Sequence, residues 1–116
     1  MNIKHFVDEW FERWVTGDID KLPISPGFKH TSPFGTIDGR DAYLKLVEEN
    51  RDKFLGYRFE RHDGIYEKNR ACVRYTAIQG DFVLDVSEWF YSDGEAIDEI
   101  IAHYHIGDIR EERQLD

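Results

Sequence analysis

Glu88 stands as the one charge in an apolar row. Along Phe82–Tyr91 the even positions are Phe82, Leu84, Val86, Glu88 and Phe90, and the odd ones are Val83, Asp85, Ser87, Trp89 and Tyr91. Alternation with period two is the pattern of a strand, so Glu88 is expected on an apolar sheet face. A carboxyl there has two fates. Enclosed without a cation, it shifts toward its neutral form and donates a hydrogen bond; beside a cation, it stays ionised and holds a polar group or a water. Reading "QGD", Gln79–Asp81, as a three-residue loop pairs Ile78 with Phe82. Cys72 then falls opposite Glu88 and Arg74 on the neighbouring diagonal of the same face. Arg74 is thereby expected to pair with the acid or to anchor a substrate.

A second group of reactive types lies in "KHTSPFGTIDGR", Lys29–Arg40. His30 and Ser32 are two apart, so in an extended segment both point the same way. A neutral imidazole titrates near neutrality and serves as general base or acid when a substrate comes within hydrogen-bond reach. Ser32 lacks the elbow motif and the base–acid chain of a serine nucleophile. His103 and His105 have a spacing that lets both rings face one metal, but no third ligand is signalled nearby and no metal site is expected. His62 and Asp63 in "RHDGIY" read as a solvated pair. Cys72 is the single cysteine, which rules out an intrachain disulfide and a cysteine zinc site; a buried, inert thiol is its expected state.

The elements that must position these groups follow from periodicity. Ile3, Phe6, Val7, Trp10, Phe11, Trp14 and Val15 line one helical face, with Gly17 placed as a C-terminal cap. Asp18 offers an N-cap for a short second helix that Pro23 and Pro26 end. A third helix, "AYLKLVEENRDKF", starts after Asp38 or Gly39 and gathers Tyr43, Leu46, Val47 and Phe54 on one face. From Gly56 onward the period becomes two: Tyr57–Tyr66, Ala71–Ile78, Phe82–Tyr91 and Ile97–Ile106 read as four strands joined by the short turns "EKNR", "QGD" and "SDGE". Helices followed by an antiparallel meander predict an α+β fold with the helices on one sheet face. The other face carries Tyr75, Trp89, Tyr91, Ile97, Ile101, His103 and His105. So many large rings call for a cover, and a two-fold partner subunit is the simplest one.

With 116 residues, 41% hydrophobic and 15% aromatic, the chain reads as one domain, 1–116, able to bury a core without disulfides. The balance of 15 basic against 24 acidic residues gives a net charge of -9. Such a field repels phosphate backbones and anionic lipid, so neither a nucleic-acid nor a membrane partner is expected. No apolar run approaches the length of a membrane span and the N-terminus lacks a signal-peptide pattern, so a soluble, cytoplasmic protein is expected.

The order of these elements, with "WVTGDIDKL", "HTSPFGTIDGRDAYL" and "LDVSEWFYSDGEAIDEIIAHYH", resembles the nuclear transport factor 2-like superfamily in its SnoaL-like and ketosteroid-isomerase-like branch. The resemblance spans nearly the whole chain. It implies a conical α+β fold with about three N-terminal helices on a curved, mainly antiparallel sheet, a blind apolar pocket, and a dimer through the outer sheet face. It implies no single activity, since such folds host isomerases, dehydratases, epoxide hydrolases, cyclases and plain binding modules. Carried over position by position, the base that precedes proline in ketosteroid isomerases is replaced by Ser32. The oxyanion-donating tyrosine falls at Trp10, the strand acid at Glu88 and a last-strand pocket aromatic at Tyr104. An apolar site that keeps such an acid protonated is the logic of ketosteroid isomerase itself.

The expected function is therefore binding of a small apolar or cyclic organic compound, with any chemistry being cofactor-free acid–base work. His30 and Glu88 are the expected catalytic residues, and Trp10, Ser32, Phe34, Tyr43, Arg74, Phe90, Ala102 and Tyr104 the expected substrate-binding ones. A non-catalytic carrier or sensor with the same pocket is the main alternative. A dimeric interaction module with its pocket filled by aromatic side chains is the other.

Overall fold

Six apolar side chains on one stripe of the first helix, Ile3, Phe6, Val7, Trp10, Phe11 and Trp14, are buried in the computed structural model, which describes residues 2–105 and 107. Helix α1 runs Ile3–Thr16. The Asn2 side chain accepts the His5 N–H at 2.9 Å and closes its N-terminus. Gly17 ends it with φ 85°, a left-handed conformation that a side chain would resist, and its N–H donates to the Arg13 carbonyl. Val15 falls off the stripe and is exposed. The second helix shrinks to a single 3-10 turn, Ile19–Lys21, and Asp18 makes no side-chain cap to it.

The segment 24–38 folds into two strands that periodicity alone did not announce. They are β1, Ile24–Ser32, and β2, Gly35–Asp38, which pair antiparallel around a Pro33–Phe34 turn. Pro26 and Gly27 interrupt the apolar alternation of β1, and β2 is too short to show one. Helix α2, Arg40–Glu49, follows, and α3, Arg51–Phe54, is separated from it by Asn50. The expected single helix breaks there because the buried Asn50 turns its amide back to the Leu46 carbonyl at 2.9 Å.

Four later strands form near the expected bounds: β3, Arg58–Tyr66; β4, Arg70–Gln79; β5, Phe82–Ser92; and β6, Ile97–His103, which stops short of the expected Ile106, a residue outside the described ones. The architecture is α+β, with three helices on a six-stranded sheet among the described residues, the strands ordered β2-β1-β6-β5-β4-β3. The sheet is mixed, because β1 runs parallel to β6 while the other neighbours are antiparallel. Helix α1 packs on β3, β4 and β5. Trp10 is the hub of the core, with ring contacts to Trp14, Phe28, Tyr43 and Phe90 at 5.5 to 6.3 Å.

The turn between β4 and β5 corrects the expected register. Gln79 pairs with Phe82, leaving only Gly80 and Asp81 in the turn, and Gly80 adopts φ 61°. One residue of slip moves every β4 side chain to the opposite face. Val73 and Tyr75 therefore share the inner face with Glu88, while Cys72 and Arg74 lie outside. Tyr75 and Ile97, expected on the outer face, are buried within. Trp89, Tyr91 and Ile101 remain on the outer face, half-buried, and Cys72 is half-buried as well.

Helix α3 is tied down from the sheet. The Gln79 amide donates to the Asp52 carbonyl at 2.8 Å and to the Leu55 carbonyl at 2.6 Å. Gln79→Ala is expected to lower unfolding free energy by about 1–2 kcal/mol and to speed hydrogen exchange through Arg51–Leu55; urea titration and exchange mass spectrometry read both.

Candidate functional site

Glu88 sits on β5 opposite Val73 of β4 and Ala102 of β6, 4% exposed. Its partners are neutral donors. The Tyr75 hydroxyl donates to Oε1 at 3.1 Å, and the Trp10 indole N–H also hydrogen-bonds the carboxyl. Burial dominates and pushes the Glu88 carboxyl up to about 7, although both hydrogen bonds pull the other way. The carboxyl is thus poised to take or give a proton near neutrality. Three phenols surround it: burial and then the Glu88 charge raise the Tyr43 and Tyr75 hydroxyls well above the ordinary tyrosine range, and burial also raises Tyr104. These tyrosines therefore stay protonated and serve as hydrogen-bond donors.

Arg74 does not reach the acid. Its Nε donates to Asp63 at 2.8 Å on the outer face, and both side chains are more than half exposed. The Gly80–Asp81 turn is the cause, so the fork between a free and a paired Glu88 resolves to the acid without that cation. The signal was present in the sequence, since a glycine-containing two-residue turn is a favoured hairpin connection.

His30 lies on β1 between Ile37 of β2 and Ile100 of β6. Its ring stacks on Tyr43 with centroids 5.0 Å apart, and Phe28 stands 6.3 Å away. Burial pushes its pKa down to about 4, so the imidazole is neutral at physiological pH.

These groups face a cavity of about 180 Å³ walled mostly by rings. His30, Glu88, Trp10, Phe34, Tyr43, Ala102 and Tyr104 all line it. Phe90 does not: it is fully buried behind Trp10. Ser32 is not among the lining residues either; it shares a side-chain hydrogen bond with Tyr104 and accepts the Phe34 N–H at 3.2 Å. Residues missed from sequence include Tyr75, placed inward by the register, and Lys53, Phe54 and Tyr57, which the break at Asn50 and the anchor at Gln79 bring to one end of the cavity. For comparison, an engineered 150 Å³ apolar cavity holds benzene. A ligand of one or two rings matches this space.

His103 is exposed at the end of β6, opposite Ser87, and His105 is exposed beyond the strand. Among the described residues no three His, Cys, Asp or Glu side chains gather as a metal-ligand set. His62 is better partnered than a solvated residue, with Nε2 2.7 Å from the Thr76 hydroxyl, which in turn donates to Asp85 at 2.6 Å. No helix among the described residues is long and apolar enough to cross a membrane.

The two central groups titrate with opposite sign. The raised pKa of Glu88 gives a stability contribution that is full below about 4.5 and lost as pH rises through about 7. The lowered pKa of His30 gives one that is full above about 6.5 and lost as pH falls through about 4. Between those limits the two slopes offset each other. Glu88→Gln is expected to gain about 3 kcal/mol over wild type at pH 8 and nothing at pH 4. His30→Gln is expected to abolish the acid-side loss and leave stability falling steadily as pH rises. Chemical denaturation of the three proteins from pH 4 to 8 measures both slopes.

A model of the SnoaL-like domain family matches residues 7–110. No curated protein matches the chain at a significant level. Several solved structures share the fold. A nuclear transport factor 2-like protein of Cytophaga hutchinsonii superposes with a TM-score of 0.76 at 16% identity, covering 90% of both chains. A candidate polyketide cyclase of Xanthomonas campestris gives 0.74 at 17%, covering 90% of this chain and 91% of its own. A candidate ketosteroid isomerase of Kribbella flavida gives 0.75 at 13%, covering 87% of this chain and 76% of its own.

Proposed function

Because the chain belongs to the SnoaL-like domain family, whose fold carries more than one chemistry, we propose that its cavity binds a small one- or two-ring organic compound and that Glu88 transfers a proton on it without a cofactor. The observation that carries this reading is one buried carboxyl, held by neutral donors, lifted to about 7 and facing an apolar cavity. Such a group removes a proton from carbon or returns it at neutral pH. Isomerisation, dehydration and cyclisation need that step, and in epoxide opening the same group takes a proton from the attacking water or gives one to the epoxide oxygen. Tyr43, Tyr104 and neutral His30 line the same space and offer hydrogen bonds to an oxygen on which charge develops. His30, with its pKa near 4, is a weak base and fits a binding role better than the proton-carrying one.

A carrier or sensor is the second reading. Ser32 occupies the place of the catalytic base in the isomerases that the chain resembles, and its hydroxyl is engaged with Tyr104 and the Phe34 N–H. The open cavity speaks against a filled, vestigial pocket. The assay is α-proton exchange of cyclohexanone and 2-tetralone in deuterated water, followed by NMR. Wild type is expected to accelerate exchange, with a rate that rises through pH 7 as Glu88 ionises. Glu88→Gln is expected to lose at least about 100-fold, and His30→Ala to weaken binding. Unchanged values in both variants end the proposal, whereas binding without exchange assigns the carrier.

The reading includes a cytoplasmic homodimer that covers Trp89, Tyr91 and Ile101. Trp89 and Tyr91 stack at 6.5 Å on the outer face. Light scattering is expected to give twice the chain mass, and Trp89→Glu to give the monomer. A wild-type monomer would leave that face uncovered and remove this part of the reading.

A further inference from the structure

The cavity is polar at both ends. Phe82, Leu84, Val86 and Glu88, alternate residues of β5, all line it, so it follows that strand for roughly 20 Å of chain. Glu88 and the tyrosines mark one end. At the other, level with Phe82, stands Lys53, the one lysine or arginine among the lining residues. Its backbone is fixed by the two Gln79 bonds to α3 and the residue after it. Rings close to it in sequence line the same cavity: Phe54 stacks on Trp14 at 6.0 Å, and Tyr57 meets Phe82 edge-on at 6.4 Å. A cation in the wall of an apolar cavity stands out in a chain of net charge -9, whose field otherwise disfavours anions.

We propose that the Lys53 end is an anion-accepting subsite and that the ligand is an elongated, apolar monocarboxylic acid. Its carboxylate meets Lys53 and its far end reaches toward Glu88. The inference rests on the reading of the cavity as a ligand site and adds the ligand's class and its direction. Lys53 already interacts within the protein; an ammonium has three donors, so the carboxylate joins those interactions. The separation of the poles matters, because a carboxylate placed beside Glu88 would set two acids together, whereas at Lys53 the charges are complementary. The rival for Lys53 is a stem that covers the aromatic rim and sends its charge to water, which would confer no preference between a ligand's acid and its amide.

The two are separated by titration calorimetry at pH 6 with 4-phenylbutanoate and its primary amide, on wild type, Lys53→Met and Lys53→Arg. The acid is expected to bind wild type about tenfold tighter than the amide. Lys53→Met should erase that preference, and Lys53→Arg should keep it. Equal binding of acid and amide by wild type, or a preference that survives Lys53→Met, overturns the subsite and leaves the cavity reading in place. Absence of binding by both probes overturns the cavity reading and the subsite together. The wild-type comparison decides the point even if a variant fails to fold.

Discussion

The pairing of Gln79 with Phe82 across Gly80–Asp81 governs the chemistry of the whole inner face. Side chains alternate between faces along a strand, so the length of this one turn decides what Glu88 meets. With two residues in the turn it meets Tyr75, a hydroxyl that donates and carries no charge. With three it would have faced Cys72, with Arg74 on the neighbouring diagonal, a cation that favours the ionised acid. Gly80 makes the short turn attainable, because its φ of 61° lies in the region that L side chains resist.

An unpaired carboxyl in an apolar wall is costly, and the fold meets that cost in a graded way. Two hydrogen bonds from Tyr75 and Trp10 keep the charged form accessible, while burial outweighs them and keeps the neutral form competitive. His30 faces the same problem from the other side: burial disfavours its charged form, and its ring rests on Tyr43. The two groups respond to one environment, water-poor and ring-lined, and both are driven toward neutrality. A site of this kind discriminates by shape and by single hydrogen bonds, which suits a small organic ligand better than a highly charged one.

Much of this was legible in the residues. The α1 stripe, the Gly17 cap and the four later strands follow from periods of 3.6 and two. Glu88 was visible as a lone charge in an apolar row, and His30, Trp10, Phe34, Tyr43, Ala102 and Tyr104, singled out from the sequence, line the cavity. Strands β1 and β2 were not legible, because Pro26 and Gly27 break the alternation and the parallel partner of β1, strand β6, lies far along the chain. Tyr75 and Lys53 escaped for related reasons. One depends on the register of a single turn, the other on a helix break at Asn50 and an anchor from Gln79 at the end of another strand.

By itself the sequence determined which residue types were available and which local periods they follow, since propensity and patterning act over a few neighbours. It therefore determined the α+β class, the apolar row that carries Glu88, and the absence of any intrachain disulfide. Only the tertiary structure decided which groups share the cavity. Protonation follows from that choice: the Glu88 carboxyl near 7 and the His30 imidazole near 4 are products of desolvation and neighbours, and those are set by contacts between segments remote in the chain.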